Sequence, residues 1–166
     1  MKIRIFLAAI TICLFSFGCK SRKQLSQEGA SNASQNSAGK LIVHMTMKEK
    51  FVSSGSALLS FTVINNTNRD LRFCKWETPF EPRIGKYFEI IDGNGNEAVF
   101  KGAMARRVMP PPASAYITVA AKSKVTTEIN LATNYVLAKT KYKLTYVGSG
   151  VSGLQVKNTI SFSVAN

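Results

Sequence analysis

Within Ala57–Asn65 the chain alternates from Leu59 to Val63, with Leu59, Phe61 and Val63 on one side and Ser60 and Thr62 on the other. A period of two belongs to extended backbone with one face buried, because successive side chains of a strand point to opposite sides. Strands are also expected at Leu41–Lys48, Leu71–Trp76, Lys86–Asp92, Glu97–Lys101, Ala115–Ala120, Lys124–Leu131, Tyr142–Val147 and Gln155–Val164. These runs are short, rich in β-branched and aromatic residues, and bounded by Ser, Gly, Asn or Pro. Gly93–Asn96 reads as the tight turn of the clearest hairpin, and Ala121–Ser123 as the turn joining a second strand pair. Residues 132–137 read as an irregular or helical turn. About seven to nine short strands at this spacing predict an all-β, immunoglobulin-like Greek-key sandwich over residues 40–166. Tyr142, at the head of a strand, is either the tyrosine of a corner motif or a plain core residue.

Before residue 40 the composition differs. Lys2 and Arg4 precede an apolar stretch, Ile5–Phe17, of export-signal length and too short for a comfortable span of about 20 residues. Leu14-Phe15-Ser16-Phe17-Gly18-Cys19 resembles a bacterial lipoprotein cleavage site, which makes Cys19 the candidate lipidation residue and residues 1–19 a lipoprotein-type signal peptide. Ser16 and bulky Phe17 depart from the motif, and an ordinary secretory signal is the competing reading. Residues 20–39 are dominated by Ser, Gln, Asn, Ala and Gly. They bury too little surface to offset the entropy of ordering, so a disordered tether of roughly 25 Å span is expected. The expected location is the bacterial cell envelope, periplasmic or outer surface, with the membrane as a partner through the lipid anchor.

The formal net charge is +13, and without Lys2 and Arg4 it is +11, from 20 basic residues against 9 acidic. Scattered positive charge favours anionic lipid, glycan or other polyanions as neighbours and says nothing about fold. Of the three cysteines, Cys13 and Cys19 belong to the leader, so Cys74 is the one thiol of the body. A buried inert thiol and an intermolecular disulfide are its two readings.

Catalytic chemistry finds little support. The single histidine, His44, lies in a strand without carboxylates nearby, and no zinc-binding spacing is present. Asp92-Gly93-Asn94-Gly95-Asn96 imitates the opening of a calcium loop, but Glu97 and Ala103 stand where that loop needs glycine and an acid. No serine has a nucleophile-elbow setting, no glycine-rich loop is built to cradle phosphate, and Glu77 and Glu81 have no fixed separation. No catalytic residue, metal or cofactor is therefore assigned. Asn65-Asn66-Thr67 matches a glycosylation acceptor, a match that a bacterial setting makes idle.

Leu71–Tyr116 is the individual part of the chain, holding the one tryptophan and all five prolines. Trp76, Thr78, Pro79, Phe80, Arg83, Arg106, Arg107 and Tyr116 form a candidate protein-binding patch, since tryptophan, tyrosine and arginine dominate interface hot spots. The same mixture suits single-stranded nucleic acid, which an exported protein is not expected to meet. The competing reading packs Trp76 in the core and leaves Arg106 and Arg107 solvated.

Lys75-Trp76-Glu77-Thr78-Pro79-Phe80-Glu81 resembles the non-catalytic N-terminal β-sandwich domain of deuterolysin and peptidyl-lysine zinc metalloendopeptidases, where Lys-Trp runs into Asn-Thr-Pro-Leu-Glu-Gly. The resemblance continues through Tyr87–Ile90, Phe100–Gly102, Ala105–Arg107, Tyr116–Val119, Glu128–Leu131, Tyr135 and Tyr142–Tyr146. Glu77, Pro82 and Ala121-Lys122 depart from the family's asparagine, glycine and Pro-Gly. The resemblance implies a stand-alone relative of a protease accessory or pro-domain, because the sequence stops at Asn166 where the family continues into a zinc domain. The expected function is a non-enzymatic module that recognises a protein, such as a protease domain in trans, through the loop 76–83 and the segment 102–116; the alternative is a structural envelope lipoprotein whose basic surface contacts anionic lipid or glycan.

Overall fold

A computed structural model describes residues 41–52, 56–156 and 158–165. The proposed signal peptide, Cys19 and the tether lie outside the described residues. The described chain forms strands β1 (Ile42–Met47), β2 (Lys50–Val52), β3 (Leu58–Ile64), β4 (Leu71–Cys74), β5 (Phe88–Asp92), β6 (Tyr116–Val119), β7 (Lys124–Asn130), β8 (Lys141–Tyr146) and β9 (Ile160–Ala165). Two sheets, ordered β1-β3-β7 and β2-β9-β8-β5, face each other, and β4 pairs with β6 in a separate ribbon. All pairs are antiparallel except β2 with β9. This is an all-β sandwich.

Alternation decides which faces meet. Leu59, Phe61 and Val63 of β3 are buried, and so are Val43 and Met45 of β1 opposite them. Phe88, Ile90, Tyr142, Leu144, Tyr146 and Phe162 supply the other half of the core. Phe61 and Tyr146 bridge the sheets with ring centroids 5.4 Å apart. His44, on the opposite face of β1, is exposed. Tyr142 takes the corner role: its hydroxyl accepts a 2.8 Å hydrogen bond from Ala138 N, four residues upstream.

Two expected pairings are corrected. β6 and β7 do not form a hairpin around Ala121–Ser123, for β6 pairs with β4 and β7 with β3. Buried Asn65 redirects the chain there, its Nδ2 donating to Arg69 O, Val119 O and Ala120 O at 2.8, 2.9 and 3.1 Å. Ala121 N donates to Asp70 Oδ1 and Lys122 N to Thr67 O, so the turn is tied across to residues 65–70. The same amide is consumed internally, which removes it as a glycan acceptor in the folded domain.

The Lys86–Lys101 hairpin is also shorter than expected. The turn closes as expected, with Asp92 N donating to Asn96 O and Ala98 N to Ile90 O. Asp92 Oδ1 accepts from Asn94 N and Asn96 N, and these bonds to the charged form hold its carboxyl below the ordinary aspartate range. The calcium-like carboxylate is thus occupied by its own turn. Beyond Glu97 the strand leaves β5, because the Phe100 ring packs at a tilt against Tyr135, centroids 5.3 Å apart, and the two residues pair in an isolated bridge. At the C-terminal end, the expected strand from Gln155 begins only at Ile160, and β2 is an addition that the alternation did not signal.

Asn65→Asp should destabilise the domain by about 3 kcal/mol, since a carboxylate would face three carbonyl oxygens without its donors. Chemical denaturation of both proteins checks this, and an unchanged midpoint would contradict the role given to Asn65. Lys122, at φ 54°, occupies the left-handed region that costs an L-residue about 1 kcal/mol. Lys122→Gly should therefore raise stability by up to about 1 kcal/mol in the same assay.

Candidate binding face

The patch is built where β4 ends. The β4–β6 ribbon has two buried faces: Leu71, Phe73 and Val119 point into the main core, whereas Cys74, Trp76 and Ala115 form a second cluster with Tyr116 and Val151 against it. Lys75 N donates to Ala115 O and prolongs the ribbon by one step. The loop that follows is folded on itself by Thr78, whose Oγ1 donates to Lys75 O at 2.6 Å and accepts from Phe80 N at 3.2 Å. Glu81 N closes back on Thr78 O.

A second set of bonds fixes this loop to the sandwich. Tyr146, whose ring sits in the core, reaches Glu77 O at 3.0 Å, Gly148 O at 2.9 Å and Ser152 Oγ at 2.8 Å. Burial pushes the Tyr146 hydroxyl well above its ordinary pKa, so it stays neutral. Gly148 is required here by close approach, because a Cβ on it would collide with Glu77 O. Glu77 itself is left-handed at φ 57°.

Segment 102–116 lies along the loop. Ala103 N donates to Arg83 O and Gly85 N to Ala103 O, a short parallel bridge that places Arg83 at the base of the segment. Arg107 then folds back. Its guanidinium lies 4.7 Å from the Trp76 ring centroid and forms an ion pair with Glu81. That pair is partly buried, and stacking on an indole adds to it, so together they exceed an exposed salt bridge of 0–1 kcal/mol. Arg72 stacks similarly on Tyr116 at 4.9 Å.

With Arg107 held, its neighbours project outward. Met104, Val108 and Met109 are 74%, 84% and 62% exposed, and Arg106 is exposed between them. Pro110–Pro112 then lead the chain into the turn Ala113–Ala115.

This arrangement narrows the face expected from sequence. Trp76 is only 7% exposed, and Thr78 and Pro79 are buried, so none of the three is a surface contact. Phe80 packs its ring on Phe73 and Phe61, at 5.3 and 6.3 Å. Arg107 and Tyr116 are half-buried, and Arg83 and Arg106 are exposed. Met104, Val108 and Met109 lie within the expected segment 102–116 but not among its named contact residues; their signal is large apolar side chains with neither helical nor strand period, just before three prolines. Cys74 is a buried free thiol whose pKa is raised by desolvation first of all, which makes it a poor nucleophile. Among the described residues, no three His, Cys, Asp or Glu side chains gather as a metal site would require.

No family model matches the sequence. Over 96 residues the chain is 33% identical to an uncharacterized secreted protein of Arthroderma benhamiae, a match covering 54% of this chain and 49% of that protein. The chain thus spans about half the length of the curated relative it matches.

Arg107→Ala should release the segment while sparing the sandwich. Hydrogen exchange of residues 104–109 should accelerate at least about tenfold, with a loss of global stability of about 1 kcal/mol. Unchanged exchange in that segment would show that Arg107 does not hold it.

Proposed function

We propose that this protein is an exported, lipid-anchored, non-catalytic binding module that recognises a protein partner through the Met104–Met109 segment and Arg83. The observation that carries this reading is the exposure of Met104, Val108 and Met109 beside Arg106 on a segment clamped by Arg107. Methionine and arginine are enriched at protein interfaces, and a segment held in place before binding loses less entropy when it binds. Trp76 serves the face from below as the platform under Arg107.

Export is supported by the basic-apolar leader and by the secreted relative. The Gly18-Cys19 junction supports anchoring at Cys19 in a bacterial envelope. The kinship with a metalloprotease accessory domain draws support from the backbone. Glu77 and Lys122 replace the asparagine and glycine of that family, and both have positive φ, the conformation those two residues favour. A protease domain is accordingly the partner class we favour, bound in trans.

Photocrosslinking in the intact envelope tests the proposal, with a photoreactive residue replacing Val108 and, as control, Lys143 of β8. A discrete protein adduct at 108, absent at 143 and reduced at least about tenfold by Arg106→Glu, is the expected result. Adducts to anionic lipid or glycan alone would overturn the protein reading in favour of a structural envelope lipoprotein that contacts anions. Absence of any adduct would overturn both.

A further inference from the structure

β7 is an open sheet edge. Asn65 N donates to Ser123 O and Leu131 N to Ala57 O, the bonds that flank the β3–β7 ladder at its two ends. Odd-numbered residues of β7 therefore turn their backbone groups toward β3, and Lys124, Thr126, Glu128 and Asn130 turn theirs away. Among the described residues, no backbone group pairs with that outward row. The other terminal strands of the two sheets each carry a bond on the outer side or are short. Ala98 N and Asn96 O bond to β5, Asn158 Nδ2 bonds to Met45 O of β1, and β2 has three residues.

We infer that β7 is a self-pairing edge through which two copies of this chain join antiparallel about a dyad at Thr126. In that register Thr126 faces its own copy, and Lys124 of each copy stands opposite Glu128 of the other. The residues placed opposite are the ones whose backbone groups point outward, so the seam gains about six backbone hydrogen bonds. Both charged side chains lie on the exposed outer face of the sheet, and neither has an ion pair among the described residues. Among the residues of β7, registers with the dyad at Lys124 or Glu128 set like charges face to face, and only the dyad at Thr126 makes a Lys–Glu match twice. Such an edge would ordinarily invite uncontrolled strand addition; here the charge order selects one closed, two-fold partner. The seam uses no residue of the Met104–Met109 segment, so it stands or falls separately from that face.

Sedimentation equilibrium of the intact protein in detergent at low ionic strength tests the inference. Wild type should show a concentration-dependent monomer–dimer equilibrium. Lys124→Glu and Glu128→Lys should each weaken it at least about tenfold, because either change places like charges opposite each other twice. The double variant carrying both should recover the dimer. Within one copy, positions 124 and 128 are four residues apart on an extended strand, so the rescue cannot arise inside a monomer. Thr126→Pro removes an outward N–H and leaves the β3 ladder intact; it should give a folded monomer, with circular dichroism as the check. A monomeric wild type, a dimer indifferent to both single reversals, or a double variant weaker than either single would each overturn the inference.

Discussion

The Tyr146 hydroxyl has to be satisfied inside the protein, and much of the functional architecture follows from how that is done. Its ring packs between Phe61 and Phe88, so the hydroxyl emerges at the margin of the core where water does not serve it. Two hydroxyl protons, from Tyr146 and Ser152, are shared among the carbonyls of Glu77 and Gly148 and each other. Leaving one such group unpaired costs about 1–3 kcal/mol, more than a typical net hydrogen bond contributes. The loop after β4 is therefore held against the sandwich by the requirement to satisfy a core residue. Gly148 is small because the carbonyl of Glu77 comes so close.

Once the loop is fixed, the rest of the face is built on it in order. Thr78 closes the turn, Trp76 is buried in a cluster separate from the main core, and Arg107 brings Glu81 and the Trp76 ring together. Arg107 finds both an aromatic face and a carboxylate, and its docking determines which neighbours are left outside. The exposed apolar side chains are thus the consequence of one clamped arginine. The residues that looked most like contacts are the support beneath them.

The alternation of β1, β3 and β8 was readable because a half-buried strand writes its two faces directly into the sequence. Leu59, Phe61 and Val63 are buried as that pattern requires. The hydroxyl of Tyr142 found the upstream backbone partner that its position at the head of β8 allowed. Pairing was less legible. Ala121–Ser123 has hairpin length, but the side chain of Asn65, more than fifty residues away, claims the carbonyls of Val119 and Ala120 and sends the two strands to different neighbours. Phe100 likewise leaves its hairpin for Tyr135. In both places a long-range contact outweighed a local turn preference.

The same division holds for the candidate site. Sequence singled out a region, since tryptophan, prolines and paired arginines concentrate between Leu71 and Tyr116, but residue type does not say which side of a ribbon faces solvent. Trp76 and Arg106 were equally good contact residues until packing buried one and exposed the other. By itself, the sequence determined the all-β class and the buried face of its best strands, because period-two alternation is a local property of extended backbone. Only the tertiary structure decided strand partners, the open edge at β7 and the outward turn of Met104, Val108 and Met109. Those depend on contacts between residues far apart in the chain, whose energies no local pattern encodes.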